Sequence, residues 1–109
     1  MVRFSVRLHG SGRSADRLVE AFRFVMVTTR LEPGCLNCAV WTDSEASVHY
    51  AEEWASEPDL RAHVRSEEFT MVLSIIESAH EAPDVRFDFV TASRGLDYVT
   101  DVRQDLPTD

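Results

Sequence analysis

The sequence predicts an α+β fold of the ferredoxin-like, split βαβ kind, in which an antiparallel four-stranded sheet carries its helices on one face. Two observations lead there. Apolar residues alternate with polar ones at Val2 to Leu8, Val48 to Trp54 and Val85 to Phe89, as in half-buried strands. Between them, apolar residues at helical spacing follow the first strand and the third, which gives the order β-α-β-β-α-β.

In the first strand Val2, Phe4, Val6 and Leu8 take one face, while Arg3, Ser5, Arg7 and His9 make the other cationic. Gly10-Ser-Gly12 is a flexible turn. Ser14 can cap a helix running to about Leu31, with Leu18, Phe22, Val25 and Thr29 as the core stripe and Ala15 and Met26 beside it. Phe24, Val27 and Leu31 lie off that stripe, a second apolar patch that another segment or chain would ordinarily cover.

Pro33-Gly34 turns the chain into a strand of about Cys35 to Thr42, with Leu36, Cys38 and Val40 on one face and Asn37, Ala39 and Trp41 on the other. Cys35 and Cys38, three apart on that strand, should point to opposite faces and neither bridge nor share a metal. A polar turn at Asp43 to Ala46 leads into Val48 to Trp54, which fits an antiparallel hairpin. Ser56 then caps a short helix with Pro58 in its first turn and Asp59 three residues after the cap. Ser66 opens another, with Phe69, Val72, Leu73 and Ile76 as its stripe toward His80 and Pro83 beyond its end. After the last strand, Gly95, Leu96, Val99 and Val102 can form a final helical turn, and residues past about Arg103 should fray.

Composition narrows the function. At 109 residues the chain is expected to be one domain. A net charge of −8 argues against nucleic acid or an anionic membrane as partner. No apolar run approaches the roughly 18 residues of a membrane span, and the Arg-containing N-terminus does not read as a signal peptide, so a cytoplasmic location is expected. All 11 basic residues are Arg, which excludes Schiff-base lysine chemistry and a phosphate-loop lysine. Dinucleotide fingerprints, catalytic Ser motifs and metal-ligand spacings are absent, so neither a cofactor nor a metal is expected.

The chemistry concentrates where the third strand meets the next helix. Val48, Tyr50, Glu52 and Trp54 share one strand face, and Leu60, His63 and Val64 follow at helical spacing, so the helix can fold back with His63 over Tyr50 and Trp54. His63 can exchange a proton near neutral pH, or can serve only to bond a carbonyl and cap the packing over Trp54. Glu52, alone in an apolar stripe, must find a donor or stay neutral, which makes it a tuned base or a structural anchor. Tyr50 and Trp54 can line a pocket or simply fill the core.

Glu52-x-Trp54, the capped turn, Leu60, His63 and Ser66 to Phe69, together with the earlier run Arg30-Leu-Glu-Pro-Gly-Cys-Leu36, resemble the signature of the antibiotic biosynthesis monooxygenase domains. The resemblance spans about residues 2–91 and implies a family-like domain over 1–109, with its core at 2–91 and a C-terminal extension at 92–109. It further implies a homodimer whose sheets pair face to face in a dimeric α+β barrel. Its activity would be cofactor-independent oxidation of a small phenolic or quinol-type aromatic by O2. His63 would accept or relay the substrate proton, Trp54 and Tyr50 would orient the ring and bond the developing oxyanion, and Glu52 would lie on the substrate side. Phe22, Met26, Phe69 and Leu73 would be apolar walls. Haem-degrading relatives place an Asn on the first strand, whereas the one asparagine here is Asn37 on the second, a departure that weighs against haem cleavage. The rival reading is a noncatalytic dimer that binds a small hydrophobic ligand or serves assembly. An open cavity beneath His63 favours the enzyme, and a filled core favours the rival.

Overall fold

The computed structural model describes residues 1–10 and 12–104. The chain runs β1 (Val2–Leu8), α1 (Arg13–Thr29), β2 (Cys35–Thr42), β3 (Val48–Trp54), α2 (Glu57–Val64), α3 (Glu67–Glu77), β4 (Asp84–Phe89) and α4 (Asp97–Gln104). The strands form one sheet in the order β2-β3-β1-β4, and each neighbouring pair is antiparallel. This is the ferredoxin-like arrangement that the alternation predicts. Ser11 of the glycine turn, and the end of the tail expected to fray, lie outside the described residues.

Alternation decides which sheet face the helices cover. Val2, Phe4, Val6 and Leu8 of β1 are buried with Val48, Tyr50 and Trp54 of β3, and Leu18, Phe22, Val25 and Met26 of α1 close over them. Phe22 stacks on Tyr50 at 4.4 Å between centroids, and Phe69 meets Phe4 edge-on at 5.4 Å. Both expected serine caps hold: Ser56 accepts from the Asp59 amide and Ser66 from the Phe69 amide. Ser14 does not cap α1. Gly12, at φ 50°, takes that position, and the helix begins before Ser14 is reached.

Three other expectations are corrected. Pairing jumps from Cys35 opposite Trp54 to Asn37 opposite Glu53, so Leu36 is the extra residue of a β-bulge and is exposed. The bulge resets the alternation, and Cys35 and Cys38 therefore face the same side, opposite Trp54 and Glu52; both are free thiols. On α3 the buried stripe is Phe69, Val72 and Ile75, while Leu73 is 44% exposed. On β4, Val85, Phe87 and Phe89 share the covered side in register with β1 but stay partly exposed, because the helix layer stops short of this edge strand.

A close approach ties the α1–β2 turn to the start of α2. Gly34 has φ 84°, and a Cβ there would collide with the Asp59 carboxylate. Its carbonyl accepts from the Ala55 amide at 2.8 Å. This turn also delivers Glu32 toward the core. The second apolar patch of α1 is open: Phe24, Val27 and Leu31 are all exposed, as are Leu96, Tyr98, Val99 and Val102 at α4.

Candidate functional site

Tyr50, Glu52 and Trp54 project from one face of β3, and α2, capped by Ser56 and folded back, lays His63 on them. The His63 ring stacks on Trp54 at 4.6 Å and meets Phe69 edge-on at 5.6 Å. Phe22 and Met26 are buried in the same core, so the expected residues gather there except Leu73, which lies outside.

Hydrogen bonds bind the group into one network. The Tyr50 hydroxyl donates to Glu52 Oε2 at 2.5 Å, and the Trp54 indole N–H donates to Oε1 at 3.1 Å. His63 Nε2 is 2.9 Å from Glu52 Oε2, and its Nδ1 is 2.7 Å from Oε2 of Glu32. Cys38 extends the chain by donating its thiol to the Tyr50 oxygen at 3.3 Å. Glu52 finds its donors in its own strand face and in α2. Side chains two apart on a strand stand side by side, so Tyr50 and Trp54 flank the carboxylate.

The network is closed. The side chains of Glu52 and His63 have 0% exposure, and the Tyr50 and Trp54 residues are buried as well. Both imidazole nitrogens face carboxylates, and the Tyr50 and Trp54 donors are committed to Glu52. The space beneath His63 is filled by these groups. Among the described residues Glu32, with 23% of its side chain exposed, links the network to solvent.

Electrostatics agree with the geometry. Burial by itself would lower the His63 pKa, but the hydrogen bond and charge of Glu52, then the charge and bond of Glu32, outweigh it and leave the group raised above 6.5. A protonated ring donates from both nitrogens, which suits two carboxylate partners. Glu32 is itself raised, first by burial and then by repulsion from Glu68 and Glu52, which together exceed the pull of His63. Burial drives the Tyr50 hydroxyl far up, with Glu52 adding to it, and pushes the Cys38 thiol up to about 12. Neither group ionises readily where it stands.

The other histidines divide. His49 belongs to the uncovered sheet face and stacks on Trp41 at 5.3 Å. His9, expected on that face too, instead lines a cleft with His80 and Ser14 where β1 leads into α1. Among the described residues no group of three or more His, Cys, Asp or Glu is placed to hold a metal ion, and no helix is long and apolar enough to cross a membrane. Glu32 is the member that sequence reasoning missed. Its signal was an acidic residue beside Pro33-Gly34, but nothing local says that this turn reaches a helix 31 residues further along.

No curated protein matches the chain significantly. Among solved structures, an antibiotic biosynthesis monooxygenase superposes with a TM-score of 0.69 at 22% identity, over 84% of this chain and 100% of its own. A proposed antibiotic biosynthesis monooxygenase from Deinococcus radiodurans gives 0.75 at 18% identity, over 87% and 97%. A protein from Mycobacterium tuberculosis gives 0.73 at 16%, over 86% and 98%. Identities this low establish the shared fold. The family model described as antibiotic biosynthesis monooxygenase matches residues 1–72, which takes in β1 to α2, the first part of α3 and every member of the buried network, and on that match the chain belongs to the antibiotic biosynthesis monooxygenase family.

Proposed function

We propose that the protein is a homodimeric, cofactor-independent monooxygenase that oxidises a small phenolic or quinol-type aromatic with O2. The reaction class follows the family, and the observation that carries the residue assignment is the string Glu32–His63–Glu52–Tyr50, which runs from a partly exposed carboxylate into the core. An activated CH2 or quinol carbon loses a proton, the carbanion passes an electron to O2, and the radical pair joins as a hydroperoxide. Loss of water then leaves the carbonyl product, so one oxygen atom enters the product and one leaves in water.

In this reading His63 relays the substrate proton. The relay runs through the neutral ring: once Nε2 has given its proton to Glu52, it takes the substrate proton as Nδ1 passes its own to Glu32. Trp54 and Tyr50 orient the aromatic ring and bond the oxyanion once Glu52 gives up their donors, with Phe22, Met26 and Phe69 as walls. The homodimer pairs the uncovered sheet faces, as the family does, and a cytoplasmic setting accords with two free thiols.

One observation favours a second reading, a noncatalytic homodimer that binds a small hydrophobic ligand or serves assembly: the space beneath His63 is filled and its nitrogens are both taken. Oxygen-electrode assays of the wild-type protein against hydroquinones and anthrones, without added metal or flavin, separate the two. Protein-dependent O2 uptake that is lost in His63→Ala, with the dimer intact by sedimentation, supports the enzyme. No uptake across the panel establishes the second reading instead.

A further inference from the structure

Arg30 opens the run Arg30-Leu-Glu-Pro-Gly-Cys-Leu36, two residues ahead of Glu32. Its guanidinium donates twice to the Cys38 carbonyl on β2, from Nε at 3.2 Å and from Nη2 at 2.9 Å. A planar fork that puts two donors on one oxygen fixes direction as well as distance, which a flexible ammonium group does not.

The place of that fork in the chain gives it weight. Arg30 ends α1, its amide bonding the Met26 carbonyl at 3.0 Å, and from there the chain must cross to the edge strand β2 through the turn that carries Glu32. Apolar burial does not fix this turn: Leu31 is 81% exposed, and Pro33 is exposed as well. Polar ties hold it instead, one on each side of Glu32. Downstream, the Gly34 carbonyl accepts the Ala55 amide at 2.8 Å. Upstream, the side-chain tie is the Arg30 fork.

With that fork the buried network becomes a ring. Arg30 holds Cys38, whose thiol bonds the Tyr50 oxygen; Tyr50 and His63 meet on Glu52 Oε2; His63 Nδ1 meets Glu32, and the backbone returns from Glu32 to Arg30. The charged groups acting on the imidazole are Glu52 of β3 and Glu32 of the turn, with Glu68 of α3 acting on Glu32. Burial lowers the His63 pKa, and Glu52 and then Glu32 hold it above 6.5, so the seat of Glu32 matters to the ring's proton.

We propose that Arg30 is a positioning residue: by clamping the Cys38 carbonyl it seats the Glu32 carboxylate on His63 Nδ1 and closes the network that moves the proton. Its catalytic consequence rests on the monooxygenase reading, whereas its geometric role does not.

The test is a nitrogen-15 NMR titration of the His63 ring in wild type, Arg30→Gln, Arg30→Lys, Glu32→Gln and the Arg30→Gln, Glu32→Gln double variant. Sign separates positioning from a plain charge effect. Removing a nearby cation would by itself raise the midpoint, whereas unseating Glu32 lowers it. Arg30→Gln should lower the midpoint in the direction of Glu32→Gln, and Arg30→Lys, which keeps the charge and loses the fork, should lower it too. In the Glu32→Gln background, Arg30→Gln should add no further drop. Arg30 is exposed, and circular dichroism checks that each variant folds. The proposal is overturned by an unchanged or raised midpoint in either arginine variant, or by a drop of the same size when Glu32 is already Gln. In O2 uptake with a hydroquinone, Arg30→Gln should lower kcat about tenfold and leave KM nearly unchanged. An active wild type whose kcat survives Arg30→Gln also overturns the proposal. A wild type without uptake refutes the monooxygenase reading alone, and the ring titration still decides the role of Arg30.

Discussion

The two faces of the sheet carry polar groups in opposite states. On the helix-covered face, Glu52 and His63 are fully enclosed, and between them they engage Tyr50, Trp54 and Glu32. On the uncovered face, the Nε atoms of Arg3 and Arg7 are shielded and have no partner among the described residues, near Trp41, which stacks on His49. Enclosure is tolerated by this network because each of its donors has an acceptor within the chain. A charged group whose partners are all internal holds the fold together, and one whose partners are missing is where a ligand or a second chain has something to add.

The contrast can be broken most severely at Glu52. Glu52→Ala leaves the imidazole Nε2, the phenol O–H and the indole N–H without their acceptor in the core, and urea unfolding should show a loss of roughly 3–5 kcal/mol. Trp54→Ala should cost about as much, roughly 3–5 kcal/mol, by opening a cavity under His63, and the same titration measures it. Gly34→Ala strikes the turn that presents Glu32, through both its positive φ and the collision with Asp59, and its midpoint should fall by the equivalent of roughly 1–3 kcal/mol.

The pH dependence sharpens the comparison further. His63 titrates higher when folded than its ordinary 6.5, so the folded state binds more protons above that pH. Its contribution is complete below pH 6.5 and is lost as pH rises through the folded value. Glu32, raised from 4.5, acts with the same sign in its own lower window. Asp43, held low chiefly by His49, has the opposite sign and matters only as pH falls below 3.8. Unfolding followed across pH 6 to 9 should therefore show declining stability in the wild type and a flatter profile in His63→Gln. Smallest of all should be Arg3→Gln, which removes no internal partner and should leave the unfolding midpoint within about 0.5 kcal/mol of wild type.

Particular residues show what the sequence could and could not tell. Alternation in β1 and β3 named the covered face correctly, and Ser56 and Ser66 announced their helices, because these signals are local and periodic. The juxtaposition of His63 with Tyr50 and Trp54 followed from the same periodicity. The bulge at Leu36 did not, since an extra strand residue leaves no mark when both alternatives are apolar or small, and the facing of Cys35 was misjudged as a result. Leu73 and Ile75 are equally apolar, and only the seating of α3 on α1 chose between them. Glu32 escaped because it joins the site through tertiary structure alone. That contact changes the chemistry most, as it turns an imidazole with one free nitrogen into one held at both ends.

The claim on which the rest depends is that His63 sits as a charged link between Glu52 and Glu32. A nitrogen-15 NMR titration of the ring tests it directly. Both ring nitrogens should carry protons at pH 6.5, with a titration midpoint above that value. An ordinary or lower midpoint, with one nitrogen bare at pH 6.5, would contradict the account.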